Sequence, residues 1–236
     1  METIYTIPIN EAFEGAIEAK ERGECVCPFC TVAKKLEEDE LDLILGASMM
    51  EPDIRIKTNE QGFCADCFAK MMRRQKRLPL ALMLESHLHE LYAMLTKKGL
   101  MGTSPEKGSK RLNELQSSCY VCGRVGGNLK RMLANAVYMW ETDPAFVTKV
   151  KAQKYICLEH FTSLLQAASG RMNKKRFAAL YEDFSLPTYS YLGELCDDVS
   201  HFCKKFDYRY ENEPWGNAKD SVERSIKFLS GEKLPK

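Results

Sequence analysis

Four pairs of metal-type ligands, each at i, i+3 spacing, are the residues of this chain best suited to chemistry: Cys27 and Cys30, Cys64 and Cys67, Cys119 and Cys122, Cys157 and His160. Quartets of thiolates and imidazoles suit structural zinc, which has no geometric preference from its d electrons and is held tetrahedrally. Thirty-three residues lie between Cys30 and Cys64, and 34 between Cys122 and Cys157. The last two pairs repeat the first two at a displacement of 92 or 93 residues, and an aromatic follows each later pair, Phe68 after Cys67 and Phe161 after His160. This regularity predicts a duplicated module. One zinc site would use Cys27, Cys30, Cys64 and Cys67, the other Cys119, Cys122, Cys157 and His160. Four protein ligands close each site to water and substrate, so the two ions are expected to be structural.

The elements that must carry these ligands read as helices. A Cys-x-x-Cys turn offers two sulfurs from a tight knuckle, and the later pair of each set fits the first turn of a helix, whose positive end favours thiolates. Knuckle plus helix start predicts treble-clef-like metal sites. Helical stripes run from about Thr31 to Leu45, from 66 to 77, from Leu80 to Leu95, from about Asn128 to Trp140 and onward from Cys157. Asn10 can cap a helix ending at Gly23, and Asp143-Pro144 reads as a cap followed by proline at the first helical position. A long helix from about Pro187 through Phe206 and a closing one from about Ala218 to Leu229 complete the pattern. Strand evidence is confined to Ile54 and Ile56, which suggest one short extended piece over Asp53 to Thr58. The expected class is all-α, with two tandem zinc-knuckle and helical modules and a C-terminal helical segment.

Lys97 to Ser109 holds three Gly, one Pro and two Ser, and reads as a linker. The expected organisation is therefore 1–98, with the first metal site, 110–186, with the second, and 187–236, a helical tail packing on both modules.

Other candidates are weaker. Cys25-Val26-Cys27 with Cys64 and Cys67 resembles the zinc thiolate switch of a redox-regulated chaperone, but Ser117 stands at the equivalent place in the second copy, so Cys25 reads as a spare thiol. Cys27-Pro28-Phe29-Cys30 resembles a glutaredoxin motif without the strand and βαβ context that fold requires. His87 and His89 diverge on a helix. Cys196 and Cys203 share one helical face and are expected as core thiols. Basic clusters at Lys70, Arg73, Arg74, Lys76 and Arg77, and at Arg171, Lys174, Lys175 and Arg176, could touch nucleic acid, though a solvated helix face is favoured. The aromatics Phe206, Tyr208, Tyr210 and Trp215 are expected to pack onto helices.

Composition sets the limits. Thirty-four basic and 33 acidic residues leave a net charge of +1, too little for a surface dedicated to nucleic acid or membrane. No apolar run reaches the roughly 20 residues of a membrane span, and the N-terminus lacks a basic stretch followed by an apolar core. Ten cysteines without a secretion signal point to metal or redox chemistry in a cytoplasmic protein. No Ser-His-Asp ordering, phosphate-cradling glycine loop or good general base is visible, so nothing marks an enzyme.

Ile4 to Phe13, Cys27-Pro-Phe-Cys30, Met49 to Cys64 and the tail Lys204 to Gly216 together resemble an uncharacterised bacterial family, domain of unknown function 6062. Its members usually carry histidine where this chain has Cys67, and a thiolate can replace an imidazole at structural zinc. The family implies no activity. The expected function is a zinc-binding structural or regulatory protein, a binding module with a protein partner. The alternatives are a thiol-based redox sensor using Cys25 and the first site, and nucleic-acid binding through the basic helices.

Overall fold

The computed structural model describes residues 3–96 and 104–232. Eleven α-helices occur among them, with no strand. They are α1 (Thr3–Glu21), α2 (Pro28–Ile44), α3 (Pro52–Gln61), α4 (Ala65–Arg73), α5 (Arg77–Thr96), α6 (Pro105–Ser117), α7 (Tyr120–Thr142), α8 (Pro144–Ala152), α9 (Leu158–Ser169), α10 (Lys174–Lys204) and α11 (Ser221–Ser230). The class is all-α, as the helical periodicity predicts.

Local signals set many of the ends. Ser104, Asp143 and Asn173 each accept a hydrogen bond from a first-turn amide, and Pro105 and Pro144 occupy first helical positions where no N–H is needed. Three expectations fail for identifiable reasons. Asp53 to Thr58 lies inside α3, because Pro52 starts a helix and the buried Asn59 fixes it by donating to Glu90 at 2.7 Å. Gly123, Gly126 and Gly127 are carried within α7, where burial of Val121, Met132, Leu133, Ala136 and Val137 offsets the cost of about 1 kcal/mol per helical glycine. Pro187 sits within α10 and does not begin it. The Ser185 and Thr188 hydroxyls donate to the carbonyls of Glu182 and Phe184, satisfying part of the turn that proline disrupts. Of the expected linker, 97–103 lies outside the described residues, and 105–109 belongs to α6.

The chain divides into two units, 1–33 with 129–236 and the intervening 34–128. These boundaries fall in α2 and α7, so they do not follow the tandem division expected near residues 97–109. In the discontinuous unit, Phe13 meets Phe29 at 5.3 Å and Phe146 at 4.8 Å, while Tyr155 stacks on Tyr191 at 4.5 Å beside Phe228. In the continuous unit, Leu41, Ile44, Met71, Leu80, Met83, Tyr120 and Val121 enclose Cys67. Phe13 is fully buried. Phe13→Ala should therefore cost about 3–5 kcal/mol in denaturant unfolding, through lost transfer energy and the cavity left among the rings. A cost below about 1 kcal/mol would mean that this aromatic cluster is not the core of its unit.

No helix among the described residues is long and apolar enough to cross a membrane.

Candidate metal centres

All four ligand pairs occupy the same local position. Cys64 and Cys157 are the N-caps of α4 and α9, with extended backbone, and Cys67 and His160 are the third residues of those helices. Cys27 and Cys119 stand directly before α2 and α7, with Cys30 and Cys122 three residues on. The carbonyl of each leading cysteine accepts the first intrahelical bond, from Thr31, Phe68, Gly123 and Phe161. An N-cap side chain and the third residue point to the same side of a helix start, so i, i+3 spacing delivers two ligands together. The knuckle expected at Cys27–Cys30 and Cys119–Cys122 is thus a helix N-terminus in both cases. Pro28, right after Cys27, is the readable sign at the first of them, while Tyr120 gives none at the second.

The quartets differ from those the spacing predicts. Cys27 and Cys30 meet Cys157 and His160, and Cys64 and Cys67 meet Cys119 and Cys122. All eight expected residues converge, but the pairs are nested where sequential pairing was expected. The reason is visible in the hydrogen bonds that seat each pair. In the continuous unit, Arg111 donates to the carbonyls of Asn59 and Glu60, Ser118 Oγ to that of Gln61 at 2.8 Å, and the Tyr120 amide to that of Gly62 at 3.0 Å. Gly62 takes φ +59°, the left-handed turn that sends the chain from α3 into Cys64. In the other unit, Lys20 Nζ donates to the Ala152 carbonyl, Gln153 Nε2 to that of Phe13, and the Cys157 amide to Cys27 Sγ at 3.4 Å. Contacts between residues 51 to 140 positions apart decide the partners, and i, i+3 spacing carries no trace of them.

In the first centre, Cys30 Sγ lies 3.7 Å from Cys157 Sγ, and His160 Nδ1 lies 3.1, 3.5 and 3.9 Å from the sulfurs of Cys157, Cys30 and Cys27. In the second, Cys64–Cys122, Cys67–Cys122 and Cys67–Cys119 are 3.8, 3.7 and 3.6 Å apart. A tetrahedron with Zn–S bonds of about 2.3 Å has edges of about 3.8 Å between sulfurs and about 3.5 Å from sulfur to imidazole nitrogen. A disulfide needs about 2.05 Å. The donors therefore stand where a tetrahedral ion would hold them, and too far apart for covalent pairing.

Electrostatics favour a cation. Hydrogen bonds from the Cys67 thiol, and then from the amides of Cys122 and Cys64, bring Cys119 down to about 4. Cys157 is likewise held well below the usual thiol value by Cys27 and Cys30, with His160 adding to the effect. Their neighbours move the other way: burial together with the Cys119 charge pushes Cys122 up to about 12, and a bond to Cys157 raises Cys30 to about 12. Without a cation, a thiolate at Cys119 or Cys157 therefore keeps the thiol of Cys122 or Cys30 beside it protonated. A dication would let the rest ionise, and the two helix N-termini at each centre add roughly half a positive charge apiece.

Gly231 was not singled out by sequence reasoning, yet it closes the first centre. It follows α11 at φ +72°, and a Cβ there would lie 3.5 Å from Cys30 Sγ and 3.9 Å from Cys157 Sγ. The next amide, of Glu232, donates to Cys30. Gly231→Val would strain a left-handed backbone and press methyl groups on the sulfurs. Metal loss from the first centre to a chelator should quicken at least about tenfold, equivalent to about 1.4 kcal/mol, with the second centre unchanged. Equal rates in wild type and variant would show that this turn does not guard the site.

The remaining candidates separate. Cys25 hydrogen-bonds Tyr191 and joins neither quartet. Cys196 and Cys203, expected in the core, are exposed. His201 Nε2 lies 2.9 Å from the Pro214 carbonyl, and Lys205 Nζ donates to the carbonyls of Tyr210, Glu211 and Glu213, folding the tail back on α10. Trp215 packs on Phe202, but Phe206 and Tyr208 remain 77% and 84% exposed. Among the basic residues, Lys70 pairs with Glu37 and Asp66, Arg74 and Lys76 with Asp42, and Arg176 with Glu141.

The model of a family of unknown function, DUF6062, matches residues 1–236. The chain belongs to that family. No curated protein and no solved structure matches it significantly. The DUF6062 match spans all eight ligand residues and the tail, and its description assigns no activity.

Proposed function

We propose that this DUF6062 protein is a zinc-stabilised helical module with two structural ions, one held by Cys27, Cys30, Cys157 and His160 and the other by Cys64, Cys67, Cys119 and Cys122. The observation that carries this is the spacing of the donor atoms, which follows the edges of a zinc–thiolate tetrahedron in both quartets. Thiolate-rich tetrahedral sets select zinc over the hard divalent cations that prefer oxygen. Closed ligand shells make the ions structural, and the surface is left to serve a partner. The exposed rings of Phe206 and Tyr208, beside Lys204, Lys205 and Arg209, are the candidate contact for a protein. Nucleic acid is the weaker candidate, because carboxylates already neutralise Lys70, Arg74, Lys76 and Arg176. Ten free cysteines suit a reducing compartment such as the cytoplasm.

The duplication fits this arrangement as a reciprocal exchange. If 27–67 and 119–160 are copies, each lends its first pair to one centre and its second pair to the other. Elemental analysis of protein purified under reducing conditions should find about two equivalents of zinc per chain. Finding no metal, or a metal other than zinc at both centres, overturns the proposal.

A further inference from the structure

The two centres differ in access. Every ligand residue of the first is buried, and Gly231 and the Glu232 amide lie against its sulfurs. In the second only Cys67 is buried, Cys64 and Cys119 are half-buried, and Cys122 is exposed. An open cleft of about 540 Å³, lined by Gln61, Gln116, Ser118, Cys64, Cys119 and Cys122 among others, brings solvent to this centre. Its four thiolates and a dication carry a net charge of −2, against −1 for three thiolates and a neutral imidazole. The more electron-rich sulfurs are therefore also the reachable ones, and nucleophilic reactivity of a thiolate follows charge and access.

We propose that the second centre is a peroxide-reactive zinc–thiolate site, with Cys122 as the attacking sulfur and Cys64 as the resolving one. This rests on the metal reading above and goes beyond it: the second ion holds its unit together until its own thiolate ligands are oxidised. Cys122 thiolate attacks the distal oxygen of a hydroperoxide, the O–O bond breaks, and the leaving alkoxide takes a proton from solvent to give an alcohol (or water). The Cys122 sulfenic acid is then attacked by Cys64 thiolate, the S–O bond breaks, and hydroxide leaves and is protonated to water. Each sulfur loses one electron, the peroxide gains two, and two protons are consumed. Cys64 is the better resolver because it is an N-cap at the cleft, 3.8 Å from Cys122 Sγ, whereas Cys67, at 3.7 Å, is packed in the core of its unit. Closing to a disulfide needs an approach of under 2 Å at the end of one helix. The two thiolates left, Cys67 and Cys119, cannot complete a tetrahedron, so the ion leaves. Cys25 takes no part, and of the expected switch of Cys25 with Cys27, Cys30, Cys64 and Cys67 only the Cys64 and Cys67 pair belongs to this centre.

The test starts from reduced protein whose zinc content has been measured, with hydrogen peroxide as the probe. A chromogenic chelator follows zinc, and peptide mapping locates disulfides. One equivalent of zinc should leave at least about tenfold faster than the other, with a Cys64–Cys122 disulfide that a dithiol reverses with zinc uptake. Gln116→Trp keeps all four ligands and crowds the cleft, and should slow the fast release about threefold or more. Fewer than two ions before oxidant would defeat the metal reading and this proposal together. Two ions at the start but equal release, prior release from the first centre, no release, or a disulfide elsewhere would overturn this proposal alone.

Discussion

Stripping both divalent ions is expected to abolish the cooperative fold of both units. Binding of a structural zinc contributes roughly 10–16 kcal/mol in small peptides, while whole domains are stable by only about 5–15 kcal/mol. Each centre also gathers groups that repel once ionised: in its absence Cys30 and Cys122 keep their protons up to about 12, held by a neighbouring thiolate and by burial. Loading an ion displaces those protons, so affinity rises with pH and the metal is lost as pH falls. Circular dichroism during titration with a strong chelator should show loss of most helical signal, restored by zinc. The same loss should appear on acidification, at a higher pH when chelator is present. Full helicity and an unchanged unfolding midpoint in metal-free protein would remove the ions from the stability of this fold.

Cys157→Ser should be the most damaging single substitution at the first centre. Cys157 N-caps α9, its amide donates to Cys27 and its sulfur faces both Cys30 and His160. The Cys157 side chain makes no capping hydrogen bond, so serine disturbs the helix start little, but it cannot replace the soft thiolate and leaves buried sulfurs without their cation. Breaking a buried charge arrangement from one side costs about 3–5 kcal/mol, and the lost ion adds to this. Zinc content should fall from two equivalents to one, with the second centre loaded. Retention of two ions would take Cys157 out of the ligand set.

The sequence made the ligand inventory readable and left the partnership hidden. Cys-x-x-Cys and Cys-x-x-His announce a pair on one helix start, and helical periodicity announces α2 and α5 nearly to their ends and the start of α9. Which pair faces which depends on contacts such as Gln153 to Phe13 and Ser118 to Gln61, spanning 140 and 57 positions. Near-equal gaps of 33 and 34 residues made sequential quartets look natural, although the i, i+3 rule fits any combination of pairs. Gly231 was illegible for a related reason: a glycine after a helix is common as a stop signal, and only the fold puts it over Cys30. Ile54 and Ile56 misled because two alternating residues are too few to outweigh Pro52 at a helix start.

The nesting of the four pairs is tested most directly by the zinc content of two double variants. Cys30→Ser with Cys157→Ser injures one centre and should leave about one ion per chain, whereas Cys30→Ser with Cys64→Ser injures both and should leave none. The reverse outcome, no ion in the first and one in the second, would restore the sequential quartets and contradict the arrangement described here.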